Sequence, residues 1–233
     1  MRTLLRDLRE LREAKAPETI APTVLAKLGL GDRYTTVKTA LGPVFVTFND
    51  RGATSVRRAP SARAFERTWQ REPHRPIRHV PAPRTFRFDL TGLTPFEQAV
   101  LRKASEIPAG EVRTYTWVAR EIGHPAAVRA VGTALGRNPM PLVIPCHRIV
   151  RTDGVIGDFI YGTRAKRALL ASEGVDAEDL KGYLGSANTR IFCFPTCRAA
   201  RRILPKYQVP FGTPRDAKQS GYRPCKLCRP AAA

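Results

Sequence analysis

The five cysteines of this sequence fall into two chemically different sets. Four crowd the tail as Cys193-x3-Cys197 and Cys225-x2-Cys228, two close pairs that let two short loops converge on one tetrahedral ion. Four thiolates at that spacing suit Zn2+. Pro195 and Pro224 stiffen the loops beside the ligands, and Arg198, Arg223, Lys226 and Arg229 offset the charge of a tetrathiolate centre. A zinc clip that only folds a tail with too little core of its own is the plainer alternative. Paired disulfides are a minor one.

Cys146 stands apart. It follows Pro145 and is flanked by His147 and Arg148. From Pro125 through Thr152 there is no acidic residue, while Arg129, Arg137, Arg148 and Arg151 all fall there. The apolar run 142–144 predicts a strand ending at Cys146, and the cations predict a thiol lowered from its usual ~8.5 toward a nucleophilic thiolate. An inert buried cysteine is the alternative. His147 would reach the sulfur through a bent backbone or a water, because strand neighbours point to opposite faces. No histidine follows His147, which excludes a papain-like order; His74, His79 or His124 would have to serve any other cysteine–histidine hydrolase.

The elements around these residues follow from periodicity. Leu4, Leu5, Leu8 and Leu11 place a packing helix over 1–15, with charges opposite. YTTVKTA, PVFVTF and GATSV read as short strands. Residues 57–87 hold nine arginines against two acids and five prolines, read as a helix over 62–70 and then an extended, solvated linker. Thr94-Pro95-Phe96-Glu97 is a capping-box helix start. Two short helices, 116–122 and 126–135, flank Gly123-His124-Pro125 as a candidate helix-turn-helix, and a last helix covers about 162–173.

Charge narrows the partners. Forty Lys+Arg against twenty Asp+Glu give +20, and residues 187–233 alone carry ten basic residues against one acid. Such a surplus draws a polyanion, nucleic acid above all. No apolar run nears the ~18 residues of a membrane span. The N-terminus lacks a signal-peptide core, and an odd cysteine count fits poorly with a secreted disulfide scaffold. The expectation is a cytoplasmic protein, nucleoid-associated if bacterial.

NPMPLVIPCHRIV (138–150) resembles the active-site segment of the O6-alkylguanine-DNA alkyltransferases. The likeness runs from TPFEQAVLRKASEIPAGEVRTYTWVAREIG through AAVRAVGTALGRNP to LLASEG, roughly 85–175; residues 34–60 resemble the family's smaller N-terminal domain loosely. The resemblance implies a single-turnover repair in which a guanine O6-alkyl group passes to Cys146. It implies His147 as the base acting through a water, Glu173 orienting it, and Tyr115 helping to protonate the leaving base. Arg129, Asn138 and Phe159 match positions on the DNA side. Arg129 takes the place of the flipped base, Asn138 braces the turn before the active strand, and Phe159 stands where the family usually has tyrosine. Gly157, Gly162 and Lys166 match the loop and helix that follow.

TRIFCFPTCRAARR and SGYRPCKLCRP resemble the zinc domain of bacterial adaptive-response (Ada) proteins. That implies zinc on Cys193, Cys197, Cys225 and Cys228, with Cys193 as a candidate second acceptor, from methylphosphotriesters. The implied architecture is an α/β, RNase H-like N-terminal domain with its linker (1–85), a winged-helix/helix-turn-helix alkyltransferase domain (86–180) and a small four-cysteine zinc domain (187–233). The implied partner is double-stranded DNA carrying alkylated guanine, bound by a monomer away from membranes. A non-catalytic sensor of alkylated DNA and a zinc-dependent, methylation-responsive regulator remain as alternatives.

Overall fold

A computed structural model describes residues 32–70, 77–176 and 178–230. The helix expected over 1–15, and His74, lie outside them.

Three antiparallel strands, β1 (Asp32–Thr39), β2 (Gly42–Phe48) and β3 (Ala53–Arg58), form where alternation predicts them. Helix α1 (Ala62–Gln70) follows, and β4 (Ile77–His79) pairs parallel with β1, giving the order β3-β2-β1-β4. Part of the expected linker is therefore a strand. Opposite faces of β2 feed different cores, as period-2 side chains must. Phe45 packs with Tyr34, Phe65 and Trp69 under α1, whereas Val44 and Val46 join the core of the central region. The Val56 N–H donates to the Pro139 carbonyl (2.9 Å), tying β3 to the turn that leads to Cys146.

The central region is mainly helical. Helix α2 (Pro95–Ser105) starts with the expected capping box: Thr94 Oγ1 accepts from the Glu97 N–H, and the Glu97 carboxylate accepts from the Thr94 N–H. Strand β5 (Arg113–Thr114) leads into α3 (Tyr115–Glu121), capped by Thr114, and then α4 (Val128–Gly136). Strand β6 (Ile149–Val150) pairs parallel with β5, and α5 (Thr163–Ser172) closes the region. Val100, Leu101, Val118, Val131 and Ile144 are all fully buried between these helices.

The tail is a second four-stranded sheet of β7 (Tyr183–Ser186), β8 (Ile191–Cys193), β9 (Gln208–Phe211) and β10 (Arg223–Pro224), ordered β10-β8-β7-β9, with α6 (Pro214–Gln219) beside it. Strand β7 extends this unit N-terminally of the expected residue 187. No helix among the described residues is long and apolar enough to cross a membrane.

Candidate functional site

The run 142–144 is not a strand. Leu142 takes a positive φ of 78°, and an isolated bridge joins Pro141 to Ile144, so the chain doubles back before the cysteine. Cys146, His147 and Arg148 then form one 3-10 turn. The prolines at 139, 141 and 145 prevent a regular ladder here by removing donors. In that turn Cys146 lines a cavity, while the His147 ring lies buried edge-on to Phe159, a residue of the same cavity wall. Asn138 holds the turn: its Nδ2 donates to the Ile144 carbonyl (3.2 Å) and to Cys146 Sγ (3.4 Å), and its Oδ1 accepts from the Met140 N–H (2.9 Å). At 3 % exposure Asn138 lies beneath the site, not on a DNA-facing surface where its place among the expected DNA-side residues would put it.

The electrostatics of Cys146 also differ from expectation. Burial pushes its thiol above the usual value, opposed by the Asn138 amide and the charge of Lys166. Three of the four arginines are engaged elsewhere, and Arg129 lines the cavity that also holds Cys146. Arg137 pairs with Glu97, Arg151 with Asp153, and Arg148 with Glu173. The cation facing the sulfur is Lys166, wholly buried on α5, whose Nζ donates to the carbonyls of Ile149 (2.5 Å) and Asp158 (3.3 Å) and lies over the Tyr115 ring. Burial pulls this ammonium down to about 8, against the opposing pull of Cys146 and Asp158. A lysine on an amphipathic helix gives no sequence signal of such burial; only its place in the family motif singled it out.

Glu173, just past α5, meets His147. Its Oε1 lies 3.0 Å from His147 Nε2. Arg148 grips the same carboxylate through Nε and Nη2 (2.7–3.1 Å), and the Gly110 N–H donates to Oε2 (3.0 Å). Burial pushes this carboxyl up, but the bonds from His147, Arg148 and Gly110 outweigh it and leave it at about 2. An ionised Glu173 accepts from Nε2–H, which leaves the lone pair on Nδ1. That Nδ1 is buried with no hydrogen-bond partner among the described residues.

Above the sulfur lies an open cavity of about 720 Å³, lined among others by Tyr115, Arg129, Cys146, Phe159 and Ile160. Tyr115, the first residue of α3, has its phenol raised by burial and by Cys146, so it remains a proton donor. Arg129 is exposed near the start of α4, and Gly132 follows on the same wall. Phe159 meets His147 edge-on (6.2 Å) and Tyr161 likewise (5.6 Å).

In the tail, the sulfurs of Cys193, Cys197, Cys225 and Cys228 all lie within 4.8 Å of one another, and all four residues are buried. Tetrahedral ligands at ~2.3 Å from an ion sit about 3.8 Å apart, so the cluster fits zinc. Backbone N–H groups of Ala199 and Ala200 donate to Cys197, and that of Phe194 to Cys228, which favours thiolates. Arg229, expected to offset the tetrathiolate, forms an ion pair with Glu121 on α3 (3.0 Å).

Two family models match the chain: "6-O-methylguanine DNA methyltransferase, DNA binding domain" over residues 95–175 and "Metal binding domain of Ada" over 170–231. The methylated-DNA–protein-cysteine methyltransferase of Methanothermobacter thermautotrophicus is 44 % identical over 90 residues, 39 % of this chain and 50 % of that protein. The protein of the same name from Methanosarcina barkeri is 32 % identical over 151 residues, 60 % of this chain and 96 % of that protein. A crystal structure of the Mycobacterium tuberculosis OGT protein in complex with DNA overlays with a TM-score of 0.43 at 26 % identity, covering 64 % of this chain and 98 % of that one. For several of the curated relatives the match spans about half their length. With the Methanosarcina relative matched nearly end to end, and an Ada-type metal-binding domain following, this chain belongs to the methylated-DNA–protein-cysteine methyltransferase family.

Proposed function

We propose that the chain repairs DNA by moving an alkyl group, methyl above all, from O6 of guanine to Cys146, once per molecule. The observation that carries this reading is a cysteine lining a cavity of about 720 Å³, followed in one turn by a histidine whose Nε2 is held by Glu173. Burial makes an unassisted thiolate scarce, so the thiol must lose its proton to a base as it attacks. His147 Nδ1 is that base, through an intervening water, with Glu173 holding Nε2–H and stabilising the imidazolium. The sulfur lone pair forms the S–C bond and the C–O6 bond breaks. Its electrons pass to guanine, which leaves on taking a proton from the Tyr115 phenol, and the imidazolium returns one to Tyr115. The thioether has no easy leaving group, so turnover stops.

A stacked base cannot present its O6-alkyl carbon to a buried sulfur, so the base must leave the helix. The α3–α4 pair, as a helix-turn-helix within a winged-helix-like domain, supplies the DNA contact, with Arg129 filling the gap left by the base and Phe159 lining the pocket. The described residues 32–70 and 77–85 belong to the α/β, RNase H-like unit, 86–180 to the transfer domain, and those from about 183 to the zinc domain, the whole acting as a monomer on double-stranded DNA.

A second reading rests on another cavity of about 430 Å³ lined by Cys193, Cys225, Arg202 and Tyr207, among others. Zinc, held by the four cysteines, would keep their sulfurs as nucleophilic thiolates. Cys193 then takes a methyl from a neutral phosphotriester, and Arg202 meets the phosphodiester released.

Intact-mass spectrometry with peptide mapping, after mixing with duplex DNA carrying one O6-methylguanine, tests the main reading. One methylene's mass on Cys146, saturating at one per molecule, is expected. Tight binding of the lesion with no mass gain would overturn it in favour of a damage sensor.

A further inference from the structure

The zinc unit does more than follow the transfer domain; it grips the loop 110–112 that holds the active-site carboxylate. Thr196 Oγ1 accepts from the Val112 N–H (3.1 Å), and the Arg198 N–H donates to the Glu111 carboxylate (3.1 Å). Glu111 also binds Arg113, whose guanidinium lies between Trp117 of the transfer domain and Phe194 of the zinc unit. The Arg201 guanidinium donates to the Gly110 carbonyl. On the other side of the same residue, the Gly110 N–H donates to Glu173, the partner of His147.

Gly110 is wedged between these two groups. Its φ is +74°, and a Cβ there would stand 2.9 Å from the Glu173 carbonyl oxygen and 3.2 Å from an Arg201 nitrogen. No side chain fits without displacing one of them. Arg201 is in turn fixed by the ligand loop, since its N–H donates to the Cys197 carbonyl (3.1 Å). A continuous file thus runs Cys197–Arg201–Gly110–Glu173–His147, from the metal centre of one unit to the base of the other.

We propose that Arg201 is a positioning residue for transfer at Cys146: by clamping the Gly110 carbonyl it aims the Gly110 N–H at Glu173, which then holds His147. The proposal rests on Cys146 being the acceptor. The Gly110 C=O and N–H belong to the two peptide planes that meet at its Cα, held at a positive φ that glycine adopts without strain. With the carbonyl plane released from Arg201, the turn about that Cα is free to shift, and Glu173 loses one of the donors that fix it. The loop that bears Arg201 is shaped by the cysteine cluster, so the order of the metal site reaches the rate of transfer through this residue.

The test is single-turnover transfer from O6-methylguanine DNA by the full chain, as Arg201→Ala, Arg201→Lys and, as a control on an exposed face of α6, Arg215→Ala. Zinc content, lesion affinity and the pH–rate profile are measured for each. The expected result is a rate about fivefold to tenfold lower for Arg201→Ala, with zinc and affinity unchanged. The acid limb of its profile, which reports the His147–Glu173 pair, is displaced, and Arg201→Lys restores most of the rate. Equal rates for all variants overturn the proposal. So does a slow Arg201→Ala protein that has lost its zinc and is not rescued by lysine, since the arginine then only folds the tail. The wild-type chain is measured alongside; if it takes no methyl at Cys146, the underlying reading itself falls, which is thereby told apart from failure of the Arg201 proposal.

Discussion

Glu173 and His147 stand 26 residues apart in the chain, yet their Oε1 and Nε2 atoms lie 3.0 Å apart. Two other groups, Arg148 and the Gly110 N–H, hold the same carboxylate, so the contact is set from three directions. On the proposed mechanism, transfer to Cys146 relies on this convergence, because burial makes the thiol itself a weaker acid.

Replacing Glu173 by Gln keeps the shape but removes the charge that supports the imidazolium in the proposed mechanism. Single-turnover transfer is expected to slow by about 100-fold, the usual scale for impaired acid–base catalysis. Because the carboxyl sits at about 2 in the folded chain, its stabilising effect is present above its unfolded value, near 4, and lost only as pH falls toward 2. Wild-type melting temperature should therefore carry no Glu173-dependent slope between pH 6 and 8. A slope there that vanishes in Glu173→Gln would contradict the assignment.

Lys166→Met removes the cation that faces the sulfur. The Cys146 thiol should rise further, and transfer at neutral pH should fall about tenfold, one pKa unit's worth. The sign for stability is opposite. A lysine pulled from 10.5 to about 8 destabilises the fold while charged, and that penalty is relieved as pH rises from 8 toward 10.5. Wild-type stability should gain over this window, and the methionine variant should lack that gain.

Asn138→Ala strips hydrogen bonds from the Ile144 carbonyl, the Met140 N–H and the thiol together. A loss of about 2–3 kcal/mol is expected from urea unfolding, since buried groups are left unpaired. Transfer should fall too. An unaltered denaturation midpoint would show that the turn does not need its brace.

Cys228→Ser should abolish bound zinc as measured by metal analysis of the purified chain. The sheet of the tail, which buries its cysteines in place of a larger core, should then lose protection from hydrogen exchange while β1–β3 keep theirs. Retained zinc at full occupancy would mean that three cysteines suffice.

Much of this molecule is written in local sequence. Alternation determined β1–β3, the Thr94–Glu97 box determined where α2 begins, and the paired cysteines determined the metal centre, because each depends on neighbours a few residues away. Tertiary structure alone decided what surrounds Cys146. The prolines replaced the expected strand with a turn, Arg148 was drawn to Glu173 instead of the thiol, and Lys166 was buried to take its place. It also decided that Arg201 of the tail and Glu173 of the transfer domain would meet on opposite sides of Gly110. Such pairings join residues tens of positions apart, and their energies depend on burial and on which partners the fold brings within hydrogen-bonding reach. No periodicity or spacing encodes either quantity; only the packed chain fixes both.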